Sequence, residues 1–330
     1  MRSEQKPSRK NPGLGRRRPA LQIIVLFALA AFALAFSGCE LFPSSAASFG
    51  GRKYAVIVGI NDYIIYPDVD RGDLSYCVAD AESMQKMLED AGWTVTLLTT
   101  ESNDPKPTKE GIKDALLKNV PPDTATFLFY YSGHGYIGSP EEAYIVPSDV
   151  NNSSSTSAFY SSLILSREFS VWLDSITATN KLVILDSCYS GGFVDPGDSV
   201  DSIIDSSIST SSALDMFFRF GELLAQNAAA ASSDPSTAPL VISAAGWAEE
   251  SLEALPYGHG IFTYYFLQSA ETNQSGTMKG DSDGDDVLSC IEAYSYAKRQ
   301  LVSDPGISEN QKFIPHISGG LRDFALIDNR

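Results

Sequence analysis

The feature that most constrains the fold is a short apolar run at residues 182–185, within the sequence KLVILDSCYSGG. A run of this length without polar alternation predicts a strand buried on both faces, as in the middle of a parallel sheet. Asp186, Ser187 and Cys188 follow at its carboxyl end, before two glycines interrupt the strand. Because functional groups of open α/β sheets lie outside the carboxyl ends of the strands, we expect Cys188 to be presented there rather than packed in the core.

A second strand of this kind lies upstream and ends at a histidine. Residues 126–131 have the sequence TFLFYY, and Ser132, Gly133, His134 and Gly135 follow them. If the two strands are parallel neighbours, the imidazole of His134 lies near the sulfur of Cys188. A thiol, with a pKa near ~8.5, needs a basic neighbour to form a thiolate at neutral pH, and histidine suits that task. A lone cysteine is more often a small core residue, but the two strand ends together predict a catalytic pair.

These motifs, in this order, resemble those of the caspase-like cysteine peptidases, in particular the bacterial metacaspases and paracaspases. Four further segments carry the resemblance, namely YAVIVGINDY (54–63), DLSYCVADA (73–81), VISAAGWAEES (241–251) and HGIFTYYFLQ (259–268). Tyr189 departs from the pattern, since metacaspases usually carry histidine after the cysteine. The resemblance implies a caspase-like α/β fold, with a mostly parallel central sheet sandwiched by helices.

The same resemblance divides the region from residue 53 to residue 330. Residues 53–194 are similar to the large subunit portion of the family, and residues 240–330 to the small one. Between them, residues 195–239 are rich in Ser, Ala and Asp, which is typical of an exposed linker. The family is processed at this position. Arg219, the one basic residue of the linker, is therefore the predicted self-cleavage site.

The resemblance also implies a pocket for a basic substrate side chain, lined by Asp80 and Asp186 with Cys77 and Ser132 beside them. Asp186 is two residues before Cys188, which places both on the same side of their strand. A carboxylate pair binds arginine through two parallel hydrogen bonds and lysine through its charge. We therefore expect cleavage after Arg or Lys. Alternatively, Asp80 only favours a helix N-terminus and Asp186 only orients a loop.

The function implied by the resemblance is that of a cysteine endopeptidase. The backbone N–H groups of Gly135 and Cys188 would hold the oxyanion that forms during acyl transfer. No cofactor is required, the substrate is a peptide or protein, and a monomer is typical of the metacaspase-like enzymes. Two alternatives remain open at this point: a non-catalytic caspase-like module that binds peptides or partner proteins at the envelope, and a clostripain-like peptidase of other specificity.

The first 38 residues have the pattern of an export signal. Three arginines at 16–18 precede the apolar segment 21–36, which is shorter than the about 20 residues of a membrane span. The segment ends in FSGC, which resembles a bacterial lipobox, although Phe36 replaces the usual leucine. We therefore expect a lipoprotein signal peptide at 1–38, a tether at 39–52 and lipid attachment at Cys39. The protein is then expected in the cell envelope, lipid-anchored on the periplasmic or outer face of a bacterial membrane. An uncleaved anchor and ordinary secretion are the alternatives, and in each case the catalytic domain leaves the cytoplasm.

The charge of the chain bears on its partners. The net charge is −17, and it becomes −23 without the first 38 residues, which carry seven basic side chains and one acidic one. So acidic a surface argues against a nucleic acid partner. It would attract basic peptides and divalent cations.

An acidic segment before the last predicted helix is a candidate calcium site. Asp281, Asp283, Asp285 and Glu292 fall at positions 1, 3, 5 and 12 of an EF-hand-like loop. Position 6, where an EF-hand has glycine, is Asp286. The alternative is an acidic turn that only caps the helix.

The remaining histidines and cysteines have no clear chemical pattern. His259 and His316 are predicted to be structural. The spacing of Cys77 and Cys290 does not indicate a metal site or a disulfide framework, and a disulfide between the two stays open.

Strands and helices alternate along the chain, which favours a parallel sheet between helices. Strands are predicted at 53–60, 93–99, 126–131, 143–146, 182–185, 240–243 and 323–327. Helices are predicted at 78–91, 108–119, 166–176, 214–224, 261–270 and 287–301. Thr108 is expected to cap the second of these helices, and Ile112, Leu116 and Leu117 are expected on its buried side.

Overall fold

The computed structural model describes the greater part of residues 51–330. The described residues are 51–63, 73–102, 105–139, 142–151, 155–189, 222–223, 225–230, 238–244, 257–307, 315–319 and 322–330, with the backbone alone at 137–139, 188 and 189. The chain divides into two units, Met1–Ser44 and Ser45–Arg330, and all described residues lie in the second unit.

A mostly parallel sheet forms the centre of the protein. The strands are β1 (Arg52–Gly59), β2 (Thr94–Thr99), β3 (Thr124–Ser139), β4 (Glu142–Ile145), β5 (Ile164–Leu165), β6 (Asn180–Tyr189), β7 (Leu240–Ala244), β8 (Val287–Ser289), β9 (His316–Gly319) and β10 (Ala325–Asp328). The main path of the sheet has the order β2-β1-β3-β6-β7-β9, and β4 and β5 extend it beside β3. The first five strands of that path are parallel, while β9 is antiparallel to β7. This topology confirms the predicted α/β class.

Helices cover both faces of the sheet. They are α1 (Cys77–Asp90), α2 (Lys109–Asp114), α3 (Thr156–Ser162), α4 (Ser166–Asp174), α5 (Ile261–Ser269) and α6 (Cys290–Ser303). On one face, α2 and α4 pack against Val56 and Val58 of β1; on the other, α1, α5 and α6 pack against Ala55 and Ile57. Since both faces are buried, alternate residues of one strand enter different cores, which is why the strands are continuous apolar runs.

Two strands are longer than their apolar runs. The pairing of β3 with β6 continues past Tyr131 and Leu185 as far as Gly135 opposite Tyr189. The small-residue segments after the two runs therefore belong to the sheet rather than to turns.

The predicted helix at 287–301 is wrong at its start. Val287 and Leu288 form β8, which pairs with β10 in a separate two-stranded sheet. The helix begins only at Cys290, because Ser289 caps it and Glu292 completes a capping box with the Ser289 backbone. The short elements β5, α3 and β9 were not predicted.

The helix predicted at 108–119 differs in its second half. Thr108 caps α2 as expected, with its side chain accepting the N–H of Gly111. From Ala115 to Asn119 the chain forms a π-helical turn. The wider turn rotates the buried face, so Ile112 and Leu116 are buried whereas Leu117, expected in the core, is 42% exposed.

Several predictions lie outside the described residues, among them those for Cys39, Arg219 and most of the helix at 214–224. Within the described part, none of the helices is both long and apolar enough to span a membrane. Cys77 and Cys290 do not form a disulfide with one another.

Candidate active site

The sheet brings the predicted catalytic pair together. His134 of β3 and Cys188 of β6 are direct partners in the parallel ladder, one pair before the pairing of the two strands ends at Gly135 and Tyr189. Neighbouring strands are about 4.8 Å apart, so the two residues are adjacent across the sheet. This placement follows from the strand order, because β6 pairs with β3 on the side opposite β1.

Aromatic residues fix the backbone and the ring of His134. Its N–H donates to the hydroxyl of Tyr63 at 2.7 Å, and the Tyr63 ring lies 4.7 Å from the imidazole at an angle of 35°. The Tyr131 hydroxyl donates to the carbonyl of His134 at 2.7 Å. Burial raises the pKa of Tyr63 well above its usual value, so its hydroxyl is neutral when it faces the histidine.

Gly133 is required by this arrangement. A Cβ atom at position 133 would lie 2.6 Å from the Tyr131 hydroxyl and 2.7 Å from the Tyr63 hydroxyl. Both contacts are shorter than any side chain tolerates. The glycine before His134 therefore makes room for the two tyrosines that hold the histidine in place.

The predicted pocket acids also meet. A Cβ atom built on Gly260 would lie 2.8 Å from Asp186 Oδ2 and 3.1 Å from Asp80 Oδ2, so the two carboxylates converge on this glycine. Ser132 Oγ donates to Asp80 Oδ2 at 3.0 Å. Cys77, at the start of the same helix as Asp80, is buried as well. The structure thus assembles the pair of acids from α1 and β6, with Ser132 from the strand between them.

Further donors to the acids come from the chain around the start of α5. His259 Nδ1 lies 2.9 Å from Asp80 Oδ1, and the N–H of Gly260 donates to the same oxygen at 3.1 Å. Thr263 donates to Asp186 Oδ2 through both its N–H and its hydroxyl. Since the Thr263 hydroxyl donates to Asp186, it accepts from the hydroxyl of Tyr130 at 2.6 Å. A helix N-terminus therefore faces the acids and stabilises negative charge there.

The two carboxyl groups have perturbed acidity. Burial, with a further contribution from the charge of Asp80, raises the pKa of Asp186 to about 7. Burial also raises the pKa of Asp80, while hydrogen bonds from His259, Ser132 and Gly260 act in the opposite direction. At neutral pH the pair is therefore negative but incompletely ionised, and a cation that enters the site would favour its full ionisation.

Comparison with known proteins decides the family. The model of the Caspase domain family matches residues 52–318. The chain belongs to the caspase-domain family.

Individual relatives of this caspase-domain chain are distant. Metacaspase-6 of Arabidopsis thaliana is 32% identical over 160 residues, which cover 43% of this chain and 39% of that protein. The chain therefore matches about two fifths of the length of this curated relative. Among solved structures, protein GSU0716 from Geobacter sulfurreducens has a TM-score of 0.46 at 18% identity, over 84% of this chain and 100% of that one.

The acidic loop of the caspase-domain chain has a compact geometry. Carboxylate oxygens of Asp281, Asp283 and Asp285 all lie within 4.8 Å of one another. Asp286, the residue at the glycine position of an EF-hand, has φ of 64°, the left-handed conformation that glycine would otherwise supply. Burial and the neighbouring acids raise the pKa of Asp283. Glu292 accepts the N–H and the hydroxyl of Ser282, both at 2.8 Å, and so lies against the same loop.

Three residues that contact the site were not predicted from sequence. Tyr63 and Thr263 lie within the motifs GINDY and HGIFT, which carried the family resemblance but gave these residues no role. His259 was predicted to be structural, whereas it contacts Asp80. His316, by contrast, lies in β9, at one end of the main path of the sheet, opposite Ser243 of β7, and burial lowers its pKa.

Proposed function

We propose that this chain is a cysteine endopeptidase that uses His134 and Cys188 and cleaves after Arg or Lys. The observation that carries the proposal is the ladder position of the two residues, which are direct partners on adjacent strands. The acid pair supports the specificity, since Asp186 precedes Cys188 by two residues on the same strand. The nucleophile and the pocket acid therefore share one strand end.

The reaction is an acyl transfer. Cys188 Sγ attacks the carbonyl carbon of the scissile bond while His134 takes up the thiol proton. The N–H groups of Gly135 and Cys188 donate to the oxyanion that forms. His134 then protonates the leaving amine, and the carbon–nitrogen bond breaks to give a thioester. A water molecule, deprotonated by His134, hydrolyses the thioester and regenerates the thiol.

The burial of the acids supports a basic substrate side chain. Asp80 is 2% exposed and Asp186 is 7% exposed. Keeping two carboxyl groups so close together is costly unless a cation or several donors compensate their charge. A guanidinium or ammonium group of the substrate would supply that cation. A true caspase pocket, which receives Asp, needs basic residues instead.

The test measures cleavage of fluorogenic peptides with Arg, Lys or Asp before the scissile bond. We expect the full-length chain to cleave the Arg and Lys peptides. Cys188→Ala should reduce the cleavage rate at least about a thousandfold. Cys290→Ala, which changes a buried thiol elsewhere, should retain the full rate. Cleavage only after Asp would exclude the acid pair as the pocket. Failure to cleave any peptide would favour the non-catalytic binding module, and cleavage of other sequences a clostripain-like specificity.

A second proposal concerns a cofactor. We propose that the loop of Asp281, Asp283, Asp285 and Glu292 binds Ca²⁺. Its support is the left-handed φ of Asp286, which removes the objection that position 6 lacks glycine, together with the proximity of the three aspartates. Calorimetric titration with Ca²⁺ tests the proposal directly, and a flat titration would exclude it.

The export and processing of the chain are proposals as well. We propose that residues 1–38 are removed, that Cys39 is lipidated, and that the protein is a monomer of the cell envelope, anchored on the periplasmic or outer face of a bacterial membrane. We further propose self-cleavage at Arg219. Mass spectrometry of the purified protein tests both: a lipid-modified Cys39 and a cut after Arg219 are expected, whereas an intact N-terminus or cuts only after Asp would contradict them.

A further inference from the structure

We propose that His259 is a specificity-determining residue of the pocket, which competes with the basic side chain of the substrate for Asp80. The inference rests on the proposed function, because it assumes that Asp80 and Asp186 receive that side chain. It assigns a role to a residue outside the catalytic pair and the acids, and it predicts that removal of the imidazole strengthens the binding of a basic group.

The hydrogen bonds of Asp80 show what a substrate must displace. Oδ1 accepts from the His259 ring at 2.9 Å and from the Gly260 N–H at 3.1 Å, and Oδ2 accepts from Ser132 at 3.0 Å. A guanidinium that binds side by side to Asp80 needs both oxygens. At least one of these donors must therefore release the carboxylate when the substrate enters.

Among these donors, His259 is the one able to leave. Ser132 lies within β3, paired with strands on both sides, and is 2% exposed. The Gly260 donor is a backbone group that precedes the first turn of α5. The side chain of His259 is 22% exposed and lies before that helix. A change of its side-chain torsions would remove the imidazole from Asp80 Oδ1 without breaking any strand or helix.

Competition at Asp80 follows from the number of donors that each oxygen can accept. Oδ1 already accepts two donors, the His259 ring and the Gly260 N–H, so a guanidinium N–H that binds this oxygen must displace one of them. Removing the imidazole should therefore leave a place on Oδ1 for the guanidinium.

Two substitutions test the hydrogen bond itself. His259→Ala removes the donor to Asp80, whereas the amide nitrogen of Asn occupies nearly the same position as Nδ1 of His, so His259→Asn keeps a donor there. His316→Ala is the matched control, because it removes an imidazole from β9, at one end of the main path of the sheet.

The experiment measures the binding of N-acetyl-arginine amide by calorimetry at a single pH, in the full-length chain carrying Cys188→Ala. We expect His259→Ala to bind the probe about tenfold more tightly than the protein with His259, because the imidazole no longer has to leave Asp80 Oδ1. His259→Asn and His316→Ala should bind it within about threefold of the protein with His259.

Two results would overturn the inference. Equal affinities of His259→Ala and the protein with His259 would show that the histidine does not compete with the probe. Lack of binding in every variant would show that the acids do not receive a guanidinium. Neither result decides the peptidase activity, which is tested separately by cleavage that depends on Cys188, so failure of the inference and failure of the proposed function are distinguishable.

Discussion

The hydroxyl of Tyr63 accepts the backbone N–H of His134 at 2.7 Å, and the rings of the two residues lie 4.7 Å apart. Tyr63 follows β1, so the strand next to β3 in the sheet supplies the residue that holds the histidine. The ring of Tyr63 packs against the ring of His134, and Cys188 lies on the adjacent strand β6. Tyr63 therefore acts as a positioning residue for the proposed dyad.

Removing this hydroxyl should lower the turnover. Tyr63→Phe keeps the ring but leaves the buried N–H of His134 without its acceptor, which costs about 1–3 kcal/mol. We expect kcat to fall about tenfold with little change in KM, measured with an Arg peptide. Tyr54→Phe is the control, since it removes a hydroxyl that bonds Thr96 near the start of β1. An equal loss of kcat in both variants would contradict a positioning role for Tyr63.

A methyl group at Gly260 should disturb the pocket. Gly260→Ala places a Cβ within 2.8 Å of Asp186 Oδ2, so one of the acids must move. We expect KM for Arg peptides to rise about tenfold or more. Gly280→Ala controls for lost stability, because its Cβ would lie 2.6 Å from the Leu288 side chain, outside the pocket. An unchanged KM in Gly260→Ala would show that the acids do not contact the substrate.

Stability should depend on pH through Asp186. Burial raises the pKa of its carboxyl from 3.8 to about 7, so the folded protein retains this proton to a higher pH than the unfolded chain. The free energy of unfolding should therefore fall as pH rises from about 4 to 7, by at most about 4 kcal/mol from this group. Because the side chain of Asn cannot ionise, Asp186→Asn should not show this fall in the free energy of unfolding.

We expect the Tm of Asp186→Asn, relative to its parent, to increase between pH 5 and pH 8. Thermal unfolding in a Cys188→Ala background measures it without self-cleavage. Asp90→Asn, at the exposed end of α1, should show no such trend. A difference in Tm that stays constant or shrinks with rising pH would contradict the raised pKa.

Calcium should stabilise the fold through the acidic loop. At a free Ca²⁺ concentration of about 100 times Kd, the free energy of unfolding should rise by about 2.7 kcal/mol. Asp281 accepts the N–H groups of Gly284 and Asp286 and so organises the loop. We expect Asp283→Asn, which leaves those bonds intact, to abolish most of the Ca²⁺-dependent rise in Tm. An equal rise in Asp283→Asn and in the parent would place the ion elsewhere.

The central part of the fold was accessible from sequence because it depends on local patterns. Strands buried on both faces leave continuous apolar runs, and the rule that functional groups lie at the carboxyl ends placed His134 and Cys188 at one edge. The capping box that begins α6 was also present in the sequence, as Ser289 and Glu292, but the prediction of a long helix at 287–301 did not take it into account. Asp80 and Asp186 came from the family resemblance alone.

The missed features depend on interactions that no local pattern encodes. His259 meets Asp80 across a sequence separation of 179 residues. The hydroxyl of Tyr63 lies 71 positions from the N–H that it accepts. Neither the spacing of the residues nor their burial indicates such a pair before the strand order is known. The π-helical turn after α2, which exposed Leu117, depends in the same way on packing.

The pairing of β6 with β7 has a consequence for the integrity of the protein. Leu182 and Leu240 face each other in adjacent strands, although the whole segment 190–239 separates those strands in sequence. One carboxylate of the pocket, Asp80, accepts donors from both sides of that segment. A single backbone cut within it would therefore leave two pieces that remain one folded body, with a complete site. Produced separately, each piece would instead carry half a pocket and an unpaired sheet edge open to aggregation.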